Sequence, residues 1–343
     1  MKRRPRTTGN RMIAIASVAA TGLLPASAAV ITIDNSDSGY SETGSWNTWG
    51  SEGQQGTNYR YSNSPATSTA TWTASGIAAG RYLLSASYTP GGTRPTAVSY
   101  AVNNGIGTLG PVSQLTATYA DFSREPTAGS DSVLYYTRLS NTAFEINGGS
   151  LTATVSAPSG TLIADAFRLE SVRSDVLGVY VIDSENPAYN NGTFSVTGGS
   201  FASWSGDLND HRQSIQYATA DGAAASYAFG GLPDGTYRVS ATWTPGGARP
   251  ANARYFVDGG PTIDIDQTIS PSDDYFEDVA WDDLFTVNVT GGSLTVKLQD
   301  PLGGGNTLIA DSVRLERLVV PEPGTPAILA SVLVAGSLRR RRK

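Results

Sequence analysis

Flat aromatic rings set among small polar residues are the side chains in this sequence best suited to holding a ligand. Trp46 and Trp49 stand in Gly44-Ser-Trp-Asn-Thr-Trp-Gly50, and Trp204 in Gly199-Ser-Phe-Ala-Ser-Trp-Ser-Gly206, stretches with no strand alternation. An indole face stacks on the apolar C–H face of a pyranose while nearby hydroxyls meet its rim, so these three are candidate sugar platforms. Packing is the commoner fate of a large aromatic, and a lid over one end of a core is their second possible role. Arg94 and Arg249 each follow a Thr-Pro-Gly-Gly turn. Their guanidinium forks suit an acidic sugar, or equally an internal clamp on Asp165 and Asp311.

Little else in the chain points to a reaction. Cysteine is absent and His211 is the single histidine, which excludes thiolate chemistry and His-cluster metal sites. No nucleophile elbow, P-loop or zincin motif occurs. A glycosidase needs two carboxylates across a cleft. The acids shared by the two similar segments (Asp34 and Asp183, Asp165 and Asp311, Glu170 and Glu316) fall instead at strand ends and turns. The acidic stretches Asp264–Asp266, Asp273-Asp274, Glu277-Asp278 and Asp282-Asp283 lack calcium-loop spacing and read as solvated loops. No catalytic residue, metal site or cofactor is therefore expected, and a cryptic carbohydrate-active enzyme is the third-ranked reading.

The elements that position these residues come in duplicate. Gly80-Arg-Tyr-Leu-Leu-Ser-Ala-Ser-Tyr-Thr-Pro-Gly-Gly-Thr-Arg-Pro95 returns as Gly235-Thr-Tyr-Arg-Val-Ser-Ala-Thr-Trp-Thr-Pro-Gly-Gly-Ala-Arg-Pro250. Thr161-Leu-Ile-Ala-Asp165 returns as Thr307-Leu-Ile-Ala-Asp311, and Ile33-Asp34 as Ile182-Asp183. A repeat of this length is a copied domain rather than a solenoid unit. Tyr82, Leu84, Ala86 and Tyr88 alternate along one copy and Tyr237, Val239, Ala241 and Trp243 along the other, the period of a half-buried strand. Trp72, Tyr88 and Trp243 thereby belong to the core. With 38 glycines, 18 prolines and no sustained helical stripe, the chain reads as all-β: two tandem antiparallel β-sandwich, jelly-roll-like domains over 29–173 and 178–318, joined at Val172–Gly178.

Both ends look like processing signals. Lys2, Arg3, Arg4 and Arg6 precede an apolar run from Met12 to Leu24 and an A-x-A site at Ala26-Ser-Ala28, so 1–28 reads as a secretory signal peptide cut after Ala28. Residues 319–343 combine Pro321-Glu322-Pro323, an uncharged stretch to Leu338 and Arg339–Lys343. This tail resembles the PEP-CTERM sorting signal of Gram-negative bacteria, which implies recognition by an exosortase-type peptidase after signal peptidase has acted. It also implies a membrane contact through the C-terminal segment alone, before processing. The two basic caps hold ten of the 24 Lys and Arg; the rest of the chain has 14 against 30 acids. So acidic a surface repels nucleic acid and anionic membrane.

Ile33-Asp34, Gly56-Thr-Asn-Tyr-Arg-Tyr61, Ala70-Thr-Trp-Thr73, Gly80–Tyr88 and Leu162–Leu169 together resemble the golvesin C-terminal-like module, also called the xanthan-lyase carbohydrate-binding-like domain. Copy two departs from it at Asp207–Tyr217, and copy one around Ala120–Asn141. The resemblance implies a β-sandwich of a kind that accompanies polysaccharide-active enzymes. The combined expectation is an exported, non-catalytic protein of the cell surface or extracellular matrix, with extracellular polysaccharide as partner. A spacer or self-associating matrix protein is the alternative.

Overall fold

The computed structural model describes residues 29–50, 55–116, 121–123, 134–185, 190–205, 210–300 and 306–320. The processing positions Ala28, Pro321, Glu322 and Pro323 lie outside them. Among the described residues there are strands and two short 3₁₀ turns, and no helix long and apolar enough to cross a membrane. Every strand pairing is antiparallel, as the alternating sequence pattern requires.

In the first half the strand order runs Val30–Asp34, Ala166–Val172, Thr69–Ala86, Phe144–Ser156, Val98–Val102, Gly107–Val112. Thr69–Ala86 and Phe144–Ser156 are long enough to pass from one layer of the sandwich to the other. They turn that corner at Gly76 (φ 70°) and Gly149 (φ 91°), left-handed conformations that glycine adopts freely. In the second half the same path is cut into separate strands. Val176–Asp183, Ser312–Leu318, Gly235–Ala241, Val279–Val289 and Asp274–Phe276 form one sheet. Gly192–Gly198, Ala224–Gly230, Ser293–Gln299, Ala253–Phe256 and Thr262–Ile265 form the other. Each half adds a small three-stranded sheet at one end: Asn47–Trp49, Tyr59–Ser62 and Leu162–Ala164 in the first, Ala202–Ser205, Ser214–Ala218 and Leu308–Ala310 in the second.

The two halves share hydrogen bonds as well as strands. Gln114, wholly buried, clamps the backbone of Ile163 at 3.0 Å on both its N–H and its carbonyl, and Gln267 does the same to Ile309 at 3.0 and 2.9 Å. Trp72, 1% exposed, sits between Tyr100 and Phe167 at 6.4 and 6.2 Å and donates to the carbonyl of Asp165. Tyr227 stands at the same place in the second half and donates to the carbonyl of Asp311. Tyr88 and Trp243 are core residues too, as the alternation predicts.

The alternation fails in one informative place. Leu83 should face outward between Tyr82 and Leu84, yet it is wholly buried. Its outer face is covered by the second half: Leu83 and Ala143 pack with Val176, Val179, Phe276 and Trp281. The junction at 172–178 is likewise anchored, with Val176 buried, Ala143 donating to the carbonyl of Leu177, and Val179 donating to that of Asn141, while Ser174 faces solvent.

Of the acidic stretches, Asp274, Glu277 and Asp283 lie in this junction, which corrects their reading as solvated loops, whereas Asp264 and Asp273 stay exposed. Arg173 binds Asp283 at 2.7 Å, Glu316 at 3.0 Å and Asp274 at 3.1 Å, and Arg314 binds Asp274 at 2.8 Å. Glu277 has no solvent-exposed surface. It meets Arg138 of the first half at 2.5 Å and His211 at 2.7 Å, and its backbone N–H donates to Glu170. Buried charges need such partners, because a carboxylate removed from water is stable only when paired and hydrogen-bonded.

Candidate functional site

The small end sheets place the tryptophans. In the second half Trp204 is the register partner of Ile215, and Ala202, Tyr217 and Ile309 pair across the same three strands. Alternate residues of a strand share a face, so Trp204, Ile215, Tyr217 and Ile309 present one surface. Opposite it stands the Thr-Pro-Gly-Gly turn. Its chain reverses through a hydrogen bond from Arg249 N–H to the Gly246 carbonyl, and the Arg249 side chain folds back so that Nε lies 3.5 Å from where a Gly246 Cβ would stand.

Between sheet and turn lies a cavity of about 320 Å³ lined by Trp204, Ile215, Tyr217, Thr244, Arg249, Thr307 and Ile309. Two of the residues singled out from sequence, Trp204 and Arg249, are thus brought together. Trp204 is 57% exposed, so its ring is presented to solvent rather than spent on packing. Ile215, 2% exposed, forms the floor. Thr244 is buried and its hydroxyl donates to Asp210. No carboxylate lines the cavity among the described residues. The arrangement offers an indole face, an apolar floor, two threonine hydroxyls and one guanidinium, which suits a single sugar ring and supplies no acid–base pair.

The first half holds the same parts in a different state. Trp49 pairs in register with Tyr59, and Asn47 with Tyr61, which in turn pairs with Ile163. Trp49 is 56% exposed, like Trp204. Tyr59 stands where the second half has Ile215, is 5% exposed and occupies the space in front of the arginine. Arg94 Nη2 donates to the Tyr59 hydroxyl at 3.3 Å, and its Cζ lies 6.0 Å from the ring centroid. Arg94 Nε donates to the Thr89 carbonyl. The expected Arg94–Asp165 clamp does not form. Asp165 instead accepts from the Ser87 hydroxyl at 2.6 Å and from the Gln55 backbone at 3.0 Å. Burial pushes its carboxyl up to about 7, against the pull of those two hydrogen bonds.

Trp46 takes the lid role. It is half-buried against the first core, and its Nε1 donates to the Thr43 carbonyl at 2.8 Å. Trp49 and Trp204, expected in irregular loops, sit in short edge strands instead, Asn47–Trp49 and Ala202–Ser205. Segments of three or four residues are too short to show alternation in sequence. A second hollow of about 440 Å³ in the first half is lined by Tyr40, Glu42, Thr48, Asn58 and Arg60 among others. There Arg60 is already neutralised by Glu42 at 2.5 and 2.8 Å.

Sequence reasoning did not single out Ile215, Tyr217, Thr244 or Thr307. The recurrence of Thr161-Leu-Ile-Ala as Thr307-Leu-Ile-Ala marked Thr307 as part of a shared frame, but a cavity wall leaves no periodic signal.

The family model described as the Golvesin C-terminal domain matches residues 31–115. No curated protein matches the chain. Among solved structures, a Paenibacillus xanthan lyase is similar over 81% of this chain at 16% identity, with a TM-score of 0.34; the chain spans 25% of that enzyme's length. The ANX2 ectodomain from Arabidopsis thaliana is similar over 78% of this chain and 84% of its own, at 10% identity and a TM-score of 0.36. Tandem CBM51 modules of a family 98 glycoside hydrolase from Streptococcus pneumoniae cover 77% of this chain and 84% of their own length, at 8% identity and a TM-score of 0.19.

Proposed function

We propose that this chain is an exported, non-catalytic polysaccharide-binding protein of the cell surface or extracellular matrix, built from two golvesin-like modules. The cavity that joins an exposed Trp204 to Arg249 carries the reading. A pyranose seated there lays its C–H face on the indole, sets rim hydroxyls against Thr244 and Thr307, and directs a carboxylate substituent to the guanidinium. Trp49 provides a shallower platform in the first half, and two weak contacts to one polymer gain avidity. The packed and hydrogen-bonded contacts between the halves support this, since they fix the spacing between the two platforms. The non-catalytic assignment is supported by the burial of Asp183, Asp311 and Glu277, which lie out of reach of a polymer.

The test is retention of the full-length chain on a panel of neutral and uronate-containing polysaccharides, including that of the producing cell. Binding is expected, with Trp204→Ala weakening it by about 30-fold, the scale of a single aromatic hot spot. No retention on any polysaccharide overturns the proposal. Retention that is indifferent to both Trp204→Ala and Trp49→Ala overturns the assigned site and leaves the role of a matrix spacer.

A further inference from the structure

Beneath the cavity, and separate from it, lies a cluster that sugar binding does not use. His211 Nδ1 is 3.3 Å from Asp183 Oδ2 and 2.8 Å from Ser312 Oγ, and that hydroxyl is 3.0 Å from the same Asp183 oxygen. Asp311 joins them: one ligand atom from each of Asp183, His211 and Asp311 can be chosen so that all lie within 4.8 Å of one another. All three residues have no exposed surface. Asp311 Oδ2 accepts the His211 backbone N–H at 3.1 Å, but Asp311 Oδ1 is buried with no hydrogen-bond partner. A buried carboxylate oxygen without a donor is costly; Asp165 Oδ1 of the first half is orphaned too, but Asp311 has an imidazole nitrogen beside it to complete a ligand set.

We propose that Asp183, His211 and Asp311 bind a divalent transition-metal ion of the zinc or manganese type. An imidazole nitrogen with two carboxylates suits such an ion. Calcium would want six to eight oxygens, more than this pocket presents. The imidazole is already aimed for the purpose. Its Nε2 donates to Glu277 Oε2 at 2.7 Å, and an ion at Nδ1 would replace the proton that Nδ1 shares with Ser312 and Asp183. A carboxylate behind a metal-bound histidine is the usual device for fixing tautomer and ring orientation. A dication would also relieve the crowding of negative charge.

The first half shows what the site lacks without histidine. Asp34 and Asp165 repeat Asp183 and Asp311, but Gln55 donates its backbone N–H where His211 does, and Ala166 stands for Ser312. That half is expected to hold no such ion. One histidine excludes only sites that need several, so this mixed site departs from the expectation of no metal site. The ion would tie the Val176–Asp183 strand to the chain on either side of Asp311. His211 follows Asp210, the acceptor for Thr244 in the cavity wall.

The experiment uses untagged full-length chain stripped with chelator, then dialysed against zinc or manganese, with calcium as comparator. Uptake of about one equivalent of zinc or manganese and a rise in melting temperature are expected, as for a structural site. His211→Gln and Asp311→Asn should lose that equivalent, and Asp165→Asn should retain it. Because the chain has one histidine, the imidazole ¹⁵N resonances of the wild-type protein report on the site even if those variants do not fold. A zinc-induced shift at Nδ1 supports the proposal. Absence of uptake, or uptake that leaves both imidazole nitrogens unmoved, overturns it.

Discussion

Tyr59 in the first half and Ile215 in the second occupy the same register position, opposite Trp49 and Trp204. Around them the frame is duplicated nearly bond for bond, from the arginine turn to the glutamine clamp. Tyr59 extends a ring and hydroxyl to Arg94, whereas Ile215 stops short of Arg249 and leaves a cavity of about 320 Å³. A second contrast lies deeper, where His211 replaces Gln55 and reaches through Glu277 to Arg138 across the junction. The two halves therefore share a scaffold, and two residue differences give the second half a hollow and a buried imidazole.

Four changes would break or sharpen that contrast. The largest effect is expected at Glu277, which the second half alone contributes to the junction. Burial by itself would raise its carboxyl, but the His211 hydrogen bond and the neighbouring Arg212, His211 and Arg138 outweigh burial and hold it below the usual range. Glu277→Ala strands Arg138 without its buried partner and should cost about 3–5 kcal/mol in denaturant unfolding. A loss under about 1 kcal/mol would show that the ionic junction is not what joins the halves.

Next is the pH dependence that Asp165 confers on the first half. Its carboxyl titrates near 7 when folded, above its value in an unfolded chain. Between about pH 4 and 7 the folded state therefore holds an extra proton, and stability falls as pH rises through that window before levelling off. Asp165→Asn should match wild type near pH 4 and exceed it at pH 8, by an amount on the order of 4 kcal/mol. Parallel melting curves for the two proteins across that range would contradict the assignment.

The smallest effect is on affinity alone. Ile215→Tyr rebuilds the first-half arrangement in the second and should weaken polysaccharide binding by about tenfold or more, with the fold kept. Tyr59→Ile should open a matching hollow beside Arg94 and raise the number of sugar sites per chain. If Ile215→Tyr binds as wild type does, the hollow is not the sugar site.

The long strands were legible in advance because burial repeats along them: Tyr237, Val239, Ala241 and Trp243 are core residues, as alternation requires. The arginines and tryptophans were legible as candidates because residue type and turn chemistry expose them. Leu83 misled, since a residue on the outer face of one sheet cannot announce that another half will cover it. Glu277 misled for the same reason. In sequence it is one acid among many, and only the packing of Phe276 and Trp281 against Leu83 takes it out of water. The Arg94–Asp165 clamp was plausible by charge, yet Asp165 is held by neutral donors.

Composition, period and repetition by themselves determined an all-β chain with the same strand segments written twice, because hydrophobic alternation and turn residues act over a few neighbours at a time. Which half has an open site, and which charges are buried, was decided by pairings such as Trp204 with Ile215 and His211 with Glu277. Those residues are 11 and 66 positions apart. Only the closed sandwich and its junction set the distance and the dielectric between them, and those two quantities fix what the side chains can bind.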